Sequence, residues 1–346
     1  MTVSKKIKLL QMKSVKNENT QWLWKGWLPL GKLTLLAGPA GVGKTTLLMD
    51  IAAKVSNGEV LPFESMYSQM CSVIIYSTED DIETTLNPRL AACDANTSNI
   101  YYITGTQKKD DKIDYFDPTQ DFKLIEECLI EDSNIKLIII DPIVSVISGD
   151  MHKSNEVRKS LAIFIEIAKK YNCAIVGITH FSKSNLPNIS PVDKIIGSQA
   201  FTAFARMVWV ILVINGKKIL VRAKSNLTKL KGAFVYEIED AIVDENINTT
   251  RAKWNEYLDN DYDELLKYES KGNVIEQDST ISRTQILILD YLSQEEVIES
   301  KKLEKFIIDT NNISQSTYRR AIKLLKSESK IESIKKKEWF WRLIAE

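Results

Sequence analysis

The 346-residue sequence predicts an α/β protein with a mostly parallel sheet and flanking helices in its main domain, and a second, small C-terminal domain. Short apolar runs alternate with amphipathic stretches over residues 32–240, which predicts strands and helices in alternation. A glycine-rich turn separates the first apolar run from the first amphipathic stretch, as in a strand–turn–helix unit. Three more amphipathic stretches and a two-stranded pattern follow within residues 281–346.

The amino-acid composition indicates a globular protein and argues against a disordered, secreted or membrane-spanning one. The chain is 44% hydrophobic and 27% charged, which is typical of a globular protein rather than a largely disordered one. The sequence shows neither a long uncharged apolar run nor an apolar secretory leader, and its four cysteines are widely spaced. We therefore expect a cytoplasmic protein with reduced thiols and no membrane partner. The 46 basic residues balance 46 acidic ones, which argues weakly against a generic nucleic-acid coat.

The main domain is expected to contain right-handed strand–helix–strand units. The hairpin signal at Asn215-Gly216 predicts that its last strands are antiparallel and extend one edge of the sheet. Strands are predicted at 33–37, 72–77, 99–103, 136–140, 174–179, 208–214, 218–223 and 233–239, and helices at 44–56, 82–93, 121–131, 154–171 and 198–205.

Changes in composition predict four segments. These are a polar arm (1–20), the main domain (21–243), an acidic connector with a short helix near 260–269 (244–280), and the C-terminal domain (281–346). Three tryptophans, Trp22, Trp24 and Trp27, precede the first predicted strand of the main domain. They indicate an apolar lid beside that strand or, alternatively, a platform near a nucleotide base or a subunit contact.

The C-terminal domain has the pattern of a winged helix, a relative of the helix-turn-helix. Helices are predicted at 282–293, 300–309 and 314–327, and wing strands at 330–334 and 339–344. In the first helix, Ile286, Leu289, Tyr291 and Leu292 are expected to face the core.

The glycine-rich turn matches the phosphate-binding motif GxxxxGK[ST] without a mismatch. Glycines in such a loop let backbone amides surround phosphates, and the helix that follows adds positive potential. Lys44 would reach the β- and γ-phosphates, and the Thr45 hydroxyl would bind Mg²⁺. The candidate nucleotide ligands are Gly38, Ala40, Gly41, Val42, Gly43, Lys44, Thr45 and Thr46, and the expected cofactors are ATP and Mg²⁺.

Three other strand ends carry candidate residues. The apolar run 136–140 ends at Asp141, which has the Walker-B form and would hold Mg²⁺. Glu79 is the first acid after the strand 72–77 and is a candidate general base; alternatively, the acids at 79–81 form a solvated helix start. His180 follows the strand 174–179 and is either a γ-phosphate sensor or a structural histidine.

Together these residues resemble the RecA-like ATPase core, and more closely the RepA-type hexameric replicative helicases of plasmids and phages. The resemblance covers about residues 20–240 and includes Ser77-Thr-Glu79-Asp80, Ile140-Asp141-Pro142, Thr179-His180 with Lys183, and Gly197-Ser198 followed by Arg206. It implies that Glu79 is the catalytic base, that His180 senses the γ-phosphate, and that Arg206 acts as an arginine finger on a neighbouring subunit's ATP. Lys224 matches the first member of a basic pair found in DnaB-type relatives, whereas Asn226 replaces the second.

DNA contacts are expected in two places. Loops that would face the channel of a ring carry Lys153, Lys183 and Lys194. The C-terminal domain carries Arg319, Arg320 and Lys323 on its third helix, and Lys335, Lys336 and Lys337 in the wing. Alternatively, the loop lysines are merely solvated and the C-terminal domain docks a protein such as an initiator, a loader or a primase.

The sequence thus indicates an ATP-driven, ring-forming DNA helicase, with a hexamer and single-stranded DNA as the expected assembly and partner. One alternative is a recombination mediator of the RecA/RadA type. Another is an ATP-gated DNA-binding regulator without unwinding activity, although a pure switch would not need Glu79.

Overall fold

The computed structural model describes most of the chain. The described residues are 7–64, 69–107, 113–151, 153–181, 192, 195, 198–228, 232–244, 246–271, 279–295, 297–311, 313, 315–335 and 338–344. Within them, no helix is long and apolar enough to cross a membrane.

The strands lie close to their predicted positions over most of the main domain. They are β1 (Trp22–Trp24), β2 (Leu28–Pro29), β3 (Leu33–Gly38), β4 (Ser72–Ser77), β5 (Ile100–Tyr102), β6 (Thr106–Gln107), β7 (Ile113–Asp114), β8 (Ile135–Asp141), β9 (Ala174–His180), β10 (Met207–Ile214), β11 (Lys217–Ser225), β12 (Ala233–Val243), β13 (Ile247–Leu258), β14 (Ile298–Glu299), β15 (Ile331–Lys335) and β16 (Trp339–Leu343).

The helices also follow the predicted order. They are α1 (Lys44–Asn57), α2 (Asn87–Ala92), α3 (Ile125–Glu131), α4 (Ser154–Tyr171), α5 (Ser198–Phe204), α6 (Tyr262–Lys271), α7 (Ser279–Leu292), α8 (Ser300–Asn311) and α9 (Gln315–Ser327). The stretch predicted as one helix at 82–93 is a π-helical turn, Ile82–Leu86, that leads into α2. The stretch at 121–131 begins as a 3-10 turn before α3.

The central sheet of the described chain has the strand order β13-β12-β11-β10-β3-β9-β8-β4-β5. Strands β10, β3, β9, β8, β4 and β5 are parallel, and β11 to β13 continue the sheet in antiparallel fashion. The predicted α/β class and its antiparallel edge are therefore confirmed.

Side chains of the strands alternate between two hydrophobic cores, one on each face of the sheet. On β3, Leu33, Leu35 and Ala37 belong to the core that includes buried residues of α4. Leu36 points to the opposite face and belongs to the core that includes buried residues of α1. Helices thus lie on both faces, and the parallel strands are buried between them. This arrangement explains why the parallel strands are continuous apolar runs in the sequence.

The prediction of an acidic connector over residues 244–280 is wrong for most of its length. Strand β13 pairs with β12 along its whole length and becomes the outer strand of the sheet, and in α6 the side chain of Leu265 is fully buried in the main core. Acidic residues of β12 face cations of β13: Glu239 contacts Arg251 at 2.7 Å, and Glu237 contacts Lys253 at 3.1 Å. The basic residues of β13 and the acidic residues of β12 therefore form one charged sheet surface.

The tryptophan segment forms the β1–β2 hairpin and is largely buried. Trp24 stacks on Trp27 and on Phe234, with ring centroids 5.2 Å apart in both pairs, and is 1% exposed. The rings lie within the core on the α1 face. This placement favours the lid over the base platform.

The C-terminal residues form three helices and an antiparallel sheet of order β14-β16-β15 around their own apolar core. Leu287, Ile288 and Leu292 of α7 are buried, whereas Ile286 is 40% exposed, so the predicted inward position of Ile286 is wrong. The inward face of α7 therefore includes 287 and 288 instead. This unit contacts the main domain where Lys25 lies 3.8 Å from Asp290.

Candidate active site

The phosphate-binding motif lies between the carboxyl end of β3 and the first turn of α1. Gly41 and Gly43 have φ angles of +74° and +84°, a region that favours glycine. A Cβ on Gly43 would lie 2.6 Å from Cδ1 of Ile238, so a larger residue there would also displace the end of that side chain. The Tyr236 hydroxyl donates a 2.9 Å hydrogen bond to the Val42 carbonyl, so β12 supports the loop from one side.

Other residues of the motif differ in exposure. Ala40 and Gly41 are exposed at the tip of the loop, whereas Val42 and Thr46 are buried beneath it. Gly38 closes β3 with its backbone in the sheet. The tip can therefore meet a ligand from solvent while its base is fixed in the core.

Lys44 is 6% exposed, and its ammonium is held by backbone carbonyls. Its Nζ donates to the carbonyls of Gly38 at 3.2 Å and Pro39 at 2.8 Å, and lies 3.2 Å from Nδ1 of His180. Burial lowers the pKa of Lys44, and the nearby carboxylates of Asp141 and Glu79 oppose this effect.

Thr45 and Asp141 form the pair that was predicted to bind a metal ion. The Thr45 hydroxyl donates to Oδ2 of Asp141 at 2.7 Å. Asp141 is 1% exposed, and its Oδ1 has no hydrogen-bond partner among the described residues. Burial raises the pKa of Asp141 to about 6, against the Thr45 hydrogen bond. A buried, incompletely satisfied carboxylate beside a hydroxyl is the kind of oxygen donor set that Mg²⁺ prefers, so these residues fit this ion.

The three acids after β4 have different partners. Asp80 forms an ion pair of 2.8 Å with Arg89, and Oδ1 of Asp81 accepts a hydrogen bond of 2.9 Å from the Thr84 amide. Glu79 instead has its carboxylate 3.3 Å from Nε2 of His180. The Glu79 and Asp80 amides donate to the Ser77 hydroxyl. Ser77, to which the sequence analysis gave no role of its own, therefore fixes the start of this segment.

His180 connects the lysine and the glutamate. Because the Lys44 ammonium can only donate, Nδ1 of His180 accepts from it, and Nε2 then carries the hydrogen and donates to Glu79. The side chains of His180 and Glu79 are 34% and 46% exposed. The structure thus brings Lys44, His180 and Glu79 into one chain of polar contacts beside the Thr45–Asp141 pair.

Arg206 and Lys224 lie at the other end of the sheet. The Arg206 amide donates to the carbonyl of Leu33, where β3 begins, and its side chain is exposed. Since β3 rises about 3.3 Å per residue, the phosphate-binding loop is roughly 16 Å away. The Lys224 ammonium donates to the Thr202 carbonyl, and burial, together with Arg206, lowers its pKa. Neither residue reaches the site of its own chain.

The candidate DNA-binding residues are dispersed. Lys153 is exposed and lies 3.7 Å from Glu156. On α9, the side chains of Arg319, Arg320 and Lys323 are exposed. Tyr318, on the same helix, is buried against the core of the C-terminal unit. Lys335 lies 5.6 Å from the centroid of the Trp339 ring. Lys183, Lys194, Lys336 and Lys337 lie outside the described residues, as does Gly197.

Comparisons with known proteins identify one family. A family model described as an AAA domain matches residues 7–185, more than half of the chain. Among solved structures, the crystal structure of the RadB recombinase aligns at 18% sequence identity with a TM-score of 0.39, over 64% of this chain and 91% of that chain. No curated protein matches the chain.

Proposed function

Since the chain belongs to the AAA domain family, whose domain is an ATPase, we propose that it is an ATP-driven DNA helicase. In this proposal it assembles as a ring, hydrolyses ATP between subunits and moves along single-stranded DNA. The observation that carries the proposal is the contact chain Lys44–His180–Glu79 beside the Thr45–Asp141 pair. A switch that only bound nucleotide would not need an acid held in this way.

Each residue has a role in hydrolysis. Lys44 and the backbone amides of the loop from Gly38 to Thr46 bind the phosphates. Thr45 and Asp141 would hold Mg²⁺, which neutralises phosphate charge when bound. Glu79 accepts a proton from water as the water oxygen attacks the γ-phosphorus and the bond to the bridging oxygen of ADP breaks.

His180 acts as the γ-phosphate sensor in this scheme. A γ-phosphate that draws the Lys44 ammonium away from Nδ1 changes the hydrogen bonding of the imidazole, and Nε2 passes this change to Glu79. The base is thereby positioned when a triphosphate is present. The same contact can report loss of the γ-phosphate to the loop after β9.

Arg206 serves the ATP of a neighbouring subunit, with Lys224 beside it. The distance from its own phosphate-binding loop, its exposure and its fixed backbone support a role in trans. A cation supplied by a neighbour stabilises the charge of the transition state and makes hydrolysis depend on assembly.

DNA contacts are assigned to Lys153, Lys183 and Lys194 in the channel, and to Arg319, Arg320, Lys323, Lys335, Lys336 and Lys337 in a winged-helix C-terminal domain. Exposure of the three α9 cations on one side of a buried core supports the second set. Alternatively, the same surface of the C-terminal unit binds a protein, such as an initiator, a loader or a primase.

The deciding experiment measures strand separation on forked DNA with a single 5′ or 3′ tail. We expect ATP-dependent unwinding of one of the two substrates and none by Lys44→Ala. Mass photometry with ATP and magnesium should show six-fold particles. If single-stranded DNA stimulates ATP hydrolysis but no strands separate, the helicase proposal is wrong. That result would favour a recombination mediator or a DNA-binding regulator. A strict monomer would overturn the ring.

A further inference from the structure

The antiparallel ribbon β15–β16 of the C-terminal unit carries an exposed indole ring. Side chains alternate along β16, so Trp339, Trp341 and Leu343 share one face of the ribbon. On this face Leu343 and Trp341 pack against the core of the unit, and Nε1 of Trp341 donates to the Ser300 hydroxyl at 3.1 Å. Trp339 is 51% exposed. Its ring therefore continues the core-facing side of the ribbon into solvent.

A lysine lies over each of the two indole rings. Nζ of Lys335, the cross-strand partner of Trp339, is 5.6 Å from the centroid of that ring. Nζ of Lys326, which reaches the ribbon from α9, is 6.0 Å from the centroid of Trp341. We call these four side chains the indole–lysine face. Because half of Trp339 is exposed beside Lys335, a further flat group can stack on its ring.

Helix α9 adds positive charge on the same side. Arg319, Lys323 and Lys326 are spaced four and three residues apart, so they form one stripe along the helix. All three side chains are exposed, and α9 contains no acidic residue. The stripe is about 10 Å long and ends at Trp341. A row of cations thus leads directly onto the indole–lysine face.

The acidic residues around the ribbon have cationic partners. Between residues 328 and 344 there are three acids: Glu328 pairs with Lys330, Glu332 with Arg342, and Glu338 with Lys301. The lysines and the α9 stripe therefore give this side of the unit a positive surface around the indoles, which matches a polyanion that carries flat rings. In duplex DNA the bases stack on one another, so an unpaired base is the form that can offer its face to Trp339.

We propose that the indole–lysine face binds single-stranded DNA, with an unpaired base stacked on Trp339 and phosphates beside Lys326, Lys335 and the α9 stripe. This inference rests on the proposed function for DNA as the ligand, and it deepens that proposal by naming the form of the DNA and the base contact. The cations attract the backbone of any strand, whereas the indole selects a strand whose bases are unpaired. Stacking tolerates any sequence, because every base has a π face.

Photo-cross-linking locates the contact. The probe is an oligothymidylate of about twelve nucleotides, within the site sizes of such surfaces, with iodouracil in place of thymine. Irradiation couples iodouracil to an aromatic ring that lies against it. With the full-length protein and no ATP, we expect a cross-link to Trp339, located by mass spectrometry. Trp339→Leu should abolish this product. Phe340→Leu, which changes the opposite face of β16, is the matched control and should retain it. Cross-links elsewhere in the chain and none to Trp339 would overturn the proposal.

Affinity shows whether the contact is made to a base. Binding of the oligothymidylate is compared with binding of the same sugar–phosphate chain without bases, by fluorescence anisotropy. Trp339→Leu should weaken binding of the oligothymidylate about five- to 150-fold, the range for loss of one stacked base, and leave the abasic chain unchanged. Trp339→Phe keeps a ring and should retain most of the affinity. Equal losses for both probes would assign the indole a structural role. Unchanged affinity for the oligothymidylate would leave the face to a protein partner, and either result would overturn the proposal.

These measurements separate the inference from the proposed function, because they need neither ATP nor strand separation. Unwinding by the wild-type protein without a Trp339 cross-link would overturn the stacking contact and leave the helicase in place. A Trp339 cross-link with base-dependent affinity, in a protein that does not separate strands, would overturn the helicase and leave the stacking contact in place.

Discussion

The two ends of the central sheet carry their polar side chains in opposite ways. At the carboxyl end of the parallel strands, Lys44, His180 and Glu79 contact one another, and Thr45 contacts Asp141. At the amino end, Arg206 is exposed and Lys224 is fixed to a backbone carbonyl. The polar side chains at the carboxyl end contact one another within a single chain, whereas at the amino end the Arg206 side chain faces solvent. Under the proposed function, a complete site would need two chains, one for each end.

Glu79→Gln tests the carboxyl end with the largest expected effect. We expect a loss of ATP turnover of up to about 10⁴-fold, because the amide cannot accept the proton from water. Nucleotide binding should persist, as measured by fluorescent nucleotide titration. Asp81→Asn is the matched control and should leave turnover within about twofold, since Asp81 only caps a local turn. Equal losses of ATP turnover in Glu79→Gln and Asp81→Asn would contradict the assignment of Glu79 as the general base.

Arg206→Ala tests the amino end. We expect turnover to fall about 10³-fold, the lower range for loss of an arginine finger. Mixing the variant with wild-type chains should depress turnover more than dilution explains, because each variant subunit disables a neighbour's site. A strictly proportional loss in steady-state ATPase titrations would contradict a role in trans.

His180→Gln weakens the connection between Lys44 and Glu79. A hydrogen bond to a charged group contributes about 1.5–3 kcal/mol, which corresponds to a loss in turnover of about tenfold to hundredfold. The readout is kcat against KM. We expect kcat to fall while KM changes little, because the phosphate ligands are intact. A rise in KM with unchanged kcat would mean that His180 binds nucleotide rather than positions the base.

Tyr236→Phe has the smallest expected effect. It tests whether the Tyr236 hydroxyl only supports the phosphate-binding loop or also takes part in catalysis. It removes the hydrogen bond to the Val42 carbonyl, and we expect a loss of about 1 kcal/mol in the free energy of unfolding, measured by urea titration. Turnover should change by less than about threefold. A large loss of turnover at unchanged stability would assign the hydroxyl a part in catalysis.

The sequence predicted the parallel part of the fold well, because strands buried on both faces are continuous apolar runs. It failed at β13, where charged residues alternate along the outer strand. Arg251 and Lys253 of β13 form ion pairs with Glu239 and Glu237 of β12, and the composition of one segment does not reveal its partners on another strand. The prediction that Ile286 of α7 faces the core was wrong. Ile286, Leu287 and Ile288 are consecutive apolar residues, so the sequence pattern does not show which of them face the core.

For the site, strand-end positions predicted that Glu79, Asp141 and His180 would gather, since the carboxyl ends of parallel strands share one edge of the sheet. The sequence could not predict the order of contacts through His180. It assigned no role to the Ser77 hydroxyl, which accepts hydrogen bonds from the Glu79 and Asp80 amides. It also missed Tyr236 and Ile238, whose relation to the loop depends on how β12 lies against α1. Such supporting contacts leave no motif, because many residue types can provide a hydroxyl or an aliphatic carbon there.

The aromatic cluster of β1–β2 is connected to the phosphate-binding loop through one strand. Phe234 packs on Trp24 and Trp27, and two residues further along β12 the Tyr236 hydroxyl binds the loop. We expect a displacement of the loop to shift β12 against Trp24 and Trp27, whose rings are almost fully shielded from water. Tryptophan emission should then report movement of the loop without an attached dye.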